Sequence, residues 1–229
     1  MILKKWEDLP EFMKCDEVKV YYDILLHKKG SLVLKRIFDI VVGVILLLLL
    51  SVPMLFIAVM IKIDSEGPVF YRQERVTRYG KKFQIHKFRT MVNNADKIGT
   101  AVTVDGDSRI TKVGKKIRDH RLDELPQLFD VLSGDMSFVG TRPEATKYVE
   151  KYSERMFATL LLPAGITSET SIQYKDEAKL LDEAGNVDQV YVEQVLPEKM
   201  KYNLQSIENF SFWVDIKTMF RTVFAILGR

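Results

Sequence analysis

Two adjacent carboxylates are the residues of this chain whose type and position best suit catalysis. Asp123 and Glu124 stand directly before Leu125 and Pro126, and proline fits the first turn of a helix. Neighbouring helical residues point about 100° apart, because one turn takes about 3.6 residues. The two acids therefore cannot face each other as an acid–base couple, but one can attack while the other binds a metal. Acids in a first helical turn are also ordinary caps, so the pair alone leaves both interpretations open.

Cationic side chains accompany this pair along the sequence. Arg118 precedes it and Arg142 follows it, and their planar guanidinium groups suit phosphate. Residues 71–92 carry seven Lys or Arg against one acid, and residues 109–121 carry six more against one acid. Such a basic face is typical of proteins that bind anionic lipid or a phosphorylated substrate, and it also acts as a topology signal. Nucleic acid is disfavoured, because no stacking platform or known reader motif accompanies the charges.

A long apolar segment indicates attachment to a membrane. Residues 40–61 form 22 consecutive positions without a charge, and a straight helix of that length reaches about 33 Å, enough for a hydrocarbon core of about 30 Å. Pro53 interrupts the run and Ser51 lies beside it. Four Lys or Arg precede the segment in residues 20–39 and five follow it in residues 62–81, so the positive-inside rule draws both ends to the cytoplasm. A re-entrant helix that bends at Pro53 and a kinked spanning helix both remain open.

Composition excludes several other classes of protein. The 229 residues are 47% hydrophobic and 28% charged, which is typical of a folded domain and not of a disordered tail. The single cysteine, Cys15, cannot form an internal disulfide. The three histidines lie far apart without zinc-ligand spacing, so a zinc site is not expected.

Local patterns predict the elements that must position these residues. Apolar spacing predicts two helical stretches over 112–132 that meet near Asp123, and alternation predicts two short strands at 69–71 and 83–85 around a turn at 79–80. A helix over 17–29 would end at Gly30. Further helices are predicted over 144–162, 189–204 and 213–227.

The motifs, taken in order, resemble the bacterial sugar transferases, also called monotopic phosphoglycosyl transferases, over residues 35–225. The segments that carry the resemblance are Lys35–Asp39, Gly67–Arg75, Lys87–Met91, Leu122–Gln127, Gly134–Glu144, Pro163–Thr167 and Ser211–Lys217. The stretch 168–181 lacks the Gly-Trp version of a loop seen in many members, and that difference bears on the donor sugar.

The resemblance implies a fold and a location. We expect an α+β, mainly helical protein with a short β-hairpin and amphipathic helices at the membrane interface. Residues 1–34 would form an N-terminal cytoplasmic extension, residues 35–63 a re-entrant membrane helix, and residues 64–229 a catalytic domain that ends in an interfacial helix. The catalytic domain would lie on the cytoplasmic face of the bacterial inner membrane.

The resemblance also implies a reaction. Such enzymes move a sugar 1-phosphate from a UDP-sugar to a membrane polyprenyl phosphate, such as undecaprenyl phosphate, release UMP and thereby begin glycan assembly. By this likeness Asp123 is the nucleophile that forms an aspartyl phosphosugar, and Glu124 holds Mg²⁺. The residues implied to bind substrate phosphate are Arg118, Arg142, Lys87 and Arg89. The alternative is a catalytically silent membrane-surface scaffold of the same fold; a membrane-tethered nucleic-acid binder is a weaker alternative.

Overall fold

A computed structural model describes residues 2–95, 107–173 and 187–227, and this part of the chain is mostly helical with two small sheets. The helices are α1 (Asp16–Leu26), α2 (Lys29–Asp64), α3 (Lys112–Asp119), α4 (Gln127–Ser133), α5 (Thr146–Val149), α6 (Glu169–Gln173), α7 (Val187–Val190), α8 (Leu196–Glu208) and α9 (Phe212–Leu227). The strands are β1 (Phe70–Val76), β2 (Lys82–Phe88), β3 (Met136–Val139) and β4 (Ala164–Thr167). Of the stretch 168–181, residues 174–181 lie outside the described residues.

The apolar segment forms the middle of α2, which is long and apolar enough to cross a membrane by length and composition. Its 36 residues would extend about 54 Å if straight. The helix continues through Pro53, and the hydroxyl of Ser51 donates to the carbonyl of Leu48 over 2.8 Å. Residues on both sides of Pro53 therefore belong to one helix, within which a proline can still bend the helix axis.

The predicted hairpin is confirmed and is longer than the alternation indicated. β1 and β2 pair antiparallel from Phe70 opposite Phe88 to Val76 opposite Lys82. The connecting turn contains a residue with positive φ, Tyr79, at 59°. The hairpin carries Lys87, one of the candidate substrate-binding residues, at the end opposite this turn.

A second sheet forms where no strands were predicted. β3 and β4 pair in parallel, with Met136 opposite Ala164, and the predicted helix over 144–162 is replaced by α5 and a 3₁₀ helix, Glu154–Leu161. Each strand has only four residues, too few for alternation to be recognised. The chains approach closely where Gly140 meets Gly165: a Cβ on Gly165 would lie 2.1 Å from the Gly140 nitrogen.

The N-terminal extension packs into the same hydrophobic core as the catalytic part. The predicted helix is confirmed, but α1 ends at Leu26 and Gly30 lies in the first turn of α2, so the predicted stop at Gly30 is wrong. Gly30 lacks the positive φ of a glycine that ends a helix. The chain turns earlier because the apolar side of α1 packs on Glu154–Leu161 and α8. The buried side chains of the extension are Leu9, Met13, Val18, Tyr21, Tyr22 and Leu25.

Candidate active site

The two adjacent carboxylates lie in a tight turn between α3 and α4. One 3₁₀ turn, Leu122–Glu124, carries both, and α4 follows Pro126, whose φ of −63° suits a helical start. Arg121, just before the turn, has a φ of 57°, a left-handed conformation that non-glycine residues seldom adopt. Such strain persists only where surrounding contacts hold it, and it is concentrated at functional sites. The prediction that two helical stretches meet near Asp123 is confirmed.

Glu124 is held between two cations from different elements. Lys87 Nζ, on β2, donates to Glu124 Oε1 over 3.0 Å, and the Arg142 guanidinium donates to the same oxygen over 2.5 Å. Burial by itself would raise the pKa of Glu124, but the charges of Arg142 and Lys87 outweigh burial and hold that pKa well below its ordinary value. The two cations therefore favour the ionised form of Glu124, and its Oε1 accepts a hydrogen bond from each of them. Its second oxygen, Oε2, has a longer contact of 3.5 Å with Arg142.

Asp123 differs from its neighbour because its carboxylate has no hydrogen bond or ion pair within the described part of the chain. The side chain is half-buried. Burial raises the pKa of Asp123 above its ordinary value, and the positive charge of Lys87 opposes that rise. The pair thus divides into one carboxylate that is engaged by cations and one without a hydrogen-bond partner among the described residues.

A third cation approaches Asp123 from α3. Arg118 lies in the last turn of this helix, and its charge also opposes the rise in the pKa of Asp123. The side chain is half-buried, and among the described residues no carboxylate lies within ion-pair distance of its guanidinium. Together with Lys87 and Arg142 it surrounds two carboxylates with three cations. The arrangement suits phosphate groups, which form strong charge-assisted hydrogen bonds with such side chains.

Arg89 is predicted from the sequence to join this site, and the structure places it elsewhere. Its guanidinium donates to the carbonyls of Ser65 and Glu66, each over 2.6 Å, just beyond the end of α2. Only 5% of Arg89 is exposed. The strand β2 ends at Phe88, so Arg89 lies outside the strand. Its side chain therefore does not continue the alternation between sheet faces that directs Lys87 to Glu124. Its contacts join the C-terminal end of α2 to the residue that follows β2.

A buried polar cluster behind the Arg142 loop has no counterpart in the sequence predictions. Lys35, on α2, donates to the carbonyl of Val139 over 2.7 Å and to Asp215 Oδ2, on α9, over 2.5 Å. Asp39, one turn further along α2, accepts hydrogen bonds from β3. The sequence does carry a signal for this cluster: two charged residues, Lys35 and Asp39, lie one helical turn apart beside an apolar run. Because charged side chains seldom face lipid, such a pair indicates polar partners elsewhere in the protein. The cluster holds the strand that leads to Arg142.

The Glu124 carboxylate fits a magnesium ion whose coordination is completed by substrate. Mg²⁺ is usually bound by one or two carboxylates together with phosphate oxygens and water. Glu124, through Oε2, meets the lower of these numbers and leaves Asp123 outside the coordination of the ion. Within residues 2–95, 107–173 and 187–227, no third acidic, histidine or cysteine side chain converges on this pair. Such a donor set would hold the ion only together with a phosphorylated ligand that completes its coordination.

Comparison with known proteins identifies relatives along most of the chain. The bacterial sugar transferase family model matches residues 30–229. The chain is 37% identical over 198 residues to the UDP-N-acetylgalactosamine-undecaprenyl-phosphate N-acetylgalactosaminephosphotransferase of Aeromonas hydrophila. The aligned residues cover 85% of this chain and 44% of the Aeromonas protein. It is 38% identical over 200 residues to the UDP-glucose:undecaprenyl-phosphate glucose-1-phosphate transferase of Klebsiella pneumoniae, with coverages of 85% and 40%.

The relatives differ in length. An uncharacterized sugar transferase of Bacillus subtilis, EpsL, is 32% identical over 196 residues, which cover 86% of this chain and 88% of that protein. The chain spans less than half the length of the Aeromonas and Klebsiella proteins. The resemblance inferred from the motifs is confirmed by these matches. The family match begins at residue 30, so the N-terminal extension up to the start of α2 lies outside it.

Proposed function

We propose that this chain, which belongs to the bacterial sugar transferase family, moves a sugar 1-phosphate from a UDP-sugar to undecaprenyl phosphate and releases UMP. The names of the Aeromonas and Klebsiella relatives contain both substrate types. The observation that carries the proposal is the unengaged carboxylate of Asp123 beside a cation-bound Glu124. Phosphoryl transfer depends on positioning and charge neutralisation more than on proton transfer, and this site offers both.

We assign Asp123 as the nucleophile. One of its oxygens attacks the phosphorus atom that bears the sugar, the bond from that phosphorus to the UMP oxygen breaks, and UMP leaves with the bonding electrons. The enzyme then carries an aspartyl phosphosugar. A phosphate oxygen of undecaprenyl phosphate attacks the same phosphorus atom, the bond to Asp123 breaks, and the carboxylate is restored. A covalent intermediate of this kind divides one difficult step into two easier steps.

The neighbouring side chains have separate roles in this proposal. Arg142, Lys87 and Arg118 neutralise the phosphate oxygens on either side of the reacting phosphorus. Glu124 orients two of these cations through its shared oxygen and would hold a magnesium ion through the other. When bound, that ion supplies further neutralisation of phosphate charge.

The nucleophile assignment is tested with Asp123→Asn and a matched control, Asp119→Asn, which changes an exposed acid at the end of α3. Given UDP-sugar without acceptor, the wild type should gain the mass of a sugar phosphate on the peptide that contains Asp123. The Asp123→Asn protein should gain no mass and release no UMP, and the control should do both. A panel of UDP-glucose, UDP-galactose and UDP-N-acetylgalactosamine identifies the donor. Undiminished UMP release by Asp123→Asn would overturn the mechanism.

We propose further that α2 is re-entrant, because its two halves pack against the same catalytic part of the chain. Before Pro53, Leu46 contacts the cluster around Val131; after it, Ile61 lies in the cluster of Phe88. A spanning helix with the catalytic part on one side would leave one half surrounded by lipid. The opposite face of α2 exposes the apolar side chains of Val33, Leu34, Ile37, Ile40, Val41, Val44, Ile45, Leu48, Leu49, Val52, Leu55, Phe56, Val59 and Ile63.

The C-terminal helix extends this apolar surface. Phe212 of α9 packs edge-to-face on Phe38 of α2, with ring centroids 5.7 Å apart. Trp213, Phe220 and Phe224 are exposed on α9, and aromatic side chains on an amphipathic helix are typical of the membrane interface. These surfaces support a protein that lies in one leaflet. Nucleotide sugars are made in the cytoplasm, so we place the catalytic part on the cytoplasmic face of the inner membrane.

Cysteine labelling of intact cells tests this topology. Single cysteines replace Lys28, before α2, and Lys81, in the hairpin turn, in a background without Cys15. Both should resist a membrane-impermeant reagent until the cells are permeabilised, because both face the cytoplasm. Labelling at position 28 but not at 81 in intact cells would show a spanning helix.

A further inference from the structure

Arg75, on β1, is a cation beside the candidate active site with no role in the reaction described so far. Within the hairpin, Tyr71 is paired with Lys87 and Arg75 is paired with Phe83. Residues paired directly across an antiparallel ladder lie on the same face of the sheet, and residues two apart on a strand share that face. Arg75 therefore lies on the hairpin face from which Lys87 reaches Glu124.

Arg75 has no carboxylate partner among the described residues. It is half-buried, and its guanidinium donates to the side-chain oxygen of Gln73 over 2.5 Å. The acid whose charge acts on Arg75 is Glu144, which already accepts hydrogen bonds from a tyrosine hydroxyl and a lysine. Burial lowers the pKa of Arg75, and the neighbouring charge of Arg142 lowers it further, although Glu144 opposes both. A desolvated cation next to a second cation is unfavourable unless an anion joins them.

The charged groups are linked one to the next, from Asp123 to Arg75. Asp123 interacts with Lys87, Glu124 contacts both Lys87 and Arg142, and Arg142 in turn interacts with Arg75. A nucleoside diphosphate sugar carries two adjacent phosphates that need several neighbouring cations. If the phosphorus that bears the sugar meets Asp123, the phosphate that bears the nucleoside is within reach of the cations linked to Glu124, of which Arg142 neighbours Arg75.

We propose that Arg75, together with Arg142, binds the phosphate that departs with the nucleoside, namely that of UMP. The proposal rests on the proposed function and extends it to the leaving group. The phosphate of the lipid acceptor offers the same chemistry, and the KM values for the two substrates distinguish the two sources.

The test compares Arg75→Gln with Arg72→Gln, a control on the opposite face of the same strand, where Arg72 is exposed. UMP binding is measured by calorimetry in detergent with Mg²⁺, and steady-state kinetics provide KM for each substrate. Loss of a charge-assisted hydrogen bond corresponds to about a tenfold to hundredfold weaker affinity. We expect that change in the Kd for UMP and in the KM for the UDP-sugar, with an unchanged KM for undecaprenyl phosphate. The control should match the wild type.

Each other result has a defined meaning. Unchanged UMP affinity in a folded Arg75→Gln protein overturns the proposal, as does a raised KM confined to undecaprenyl phosphate. If Arg75→Gln does not fold, Arg75→Lys keeps the charge without the planar fork; several-fold weaker UMP binding then supports the proposal, and wild-type binding overturns it. If the wild type turns over no UDP-sugar but its UMP binding depends on Arg75, the nucleotide site stands and the proposed function fails.

Discussion

Replacing Lys35 with Met removes the ammonium group that joins α2 to α9 beneath the Arg142 loop. The side chains of Lys35 and Asp215 are only 4% and 15% exposed, so the variant leaves a buried carboxylate without its partner. Breaking a buried ion pair from one side costs about 3–5 kcal/mol. For a protein of this size, about 2–4 °C of melting temperature corresponds to 1 kcal/mol, so we expect a decrease of about 6–20 °C.

Thermal unfolding in detergent, followed by tryptophan fluorescence, measures this decrease. Lys147→Met is the matched control, because the Lys147–Asp188 pair lies at the surface, with side chains 46% and 57% exposed, and such pairs contribute about 0–1 kcal/mol. The double variant Lys35→Met/Asp215→Leu should recover much of the loss, since an apolar pair often replaces a buried ion pair at little cost. Equal small shifts for Lys35→Met and the control, or strictly additive losses in the double variant, would refute the assignment of a buried, coupled pair.

Three further predictions follow from the packing. Leu25→Ala, in α1, should cost about 2–5 kcal/mol of folding free energy, whereas Val20→Ala should cost little because Val20 is 60% exposed on the same helix. Chemical denaturation measures both losses, and equal losses would mean that the N-terminal extension is not part of the core. Gly165→Ala should reduce soluble yield and melting temperature because its Cβ meets backbone, while Gly30→Ala, with nothing within 4 Å, should be neutral or stabilising. Arg89→Gln should lower the melting temperature without a specific change in the KM for the UDP-sugar donor. A raised donor KM with an unchanged melting temperature would show that Arg89 belongs to the substrate site.

Local sequence determined the parts of the protein whose signals lie within a few residues. The apolar run predicted α2, the alternation and turn predicted the β1–β2 hairpin, and helical spacing predicted the turn that carries Asp123 and Glu124. These patterns are readable because helices and strands depend on periodicities of 3.6 and 2 residues. The four-residue strands β3 and β4 are too short for such a period to be recognised in the sequence. They form because they pair with each other and pack in the core.

Partnerships between distant residues were decided only by the tertiary structure. The sequence selected Lys87, Arg118 and Arg142 by type and by family resemblance, but type alone could not separate them from Arg89, whose contacts lie at the end of α2. Nor could it indicate that Arg75 lacks a carboxylate partner among the described residues.

The sequence by itself thus determined which chemical groups are present, namely a pair of acids, nearby arginines and an apolar helix long enough to cross a membrane. The tertiary structure decided which cation meets which carboxylate and which carboxylate stays free. It also decided that residues before Lys29 share the core of the catalytic part. The physical reason is that burial and Coulomb interactions depend on distance in space, and contacts such as Lys35 with Asp215 join residues 180 positions apart.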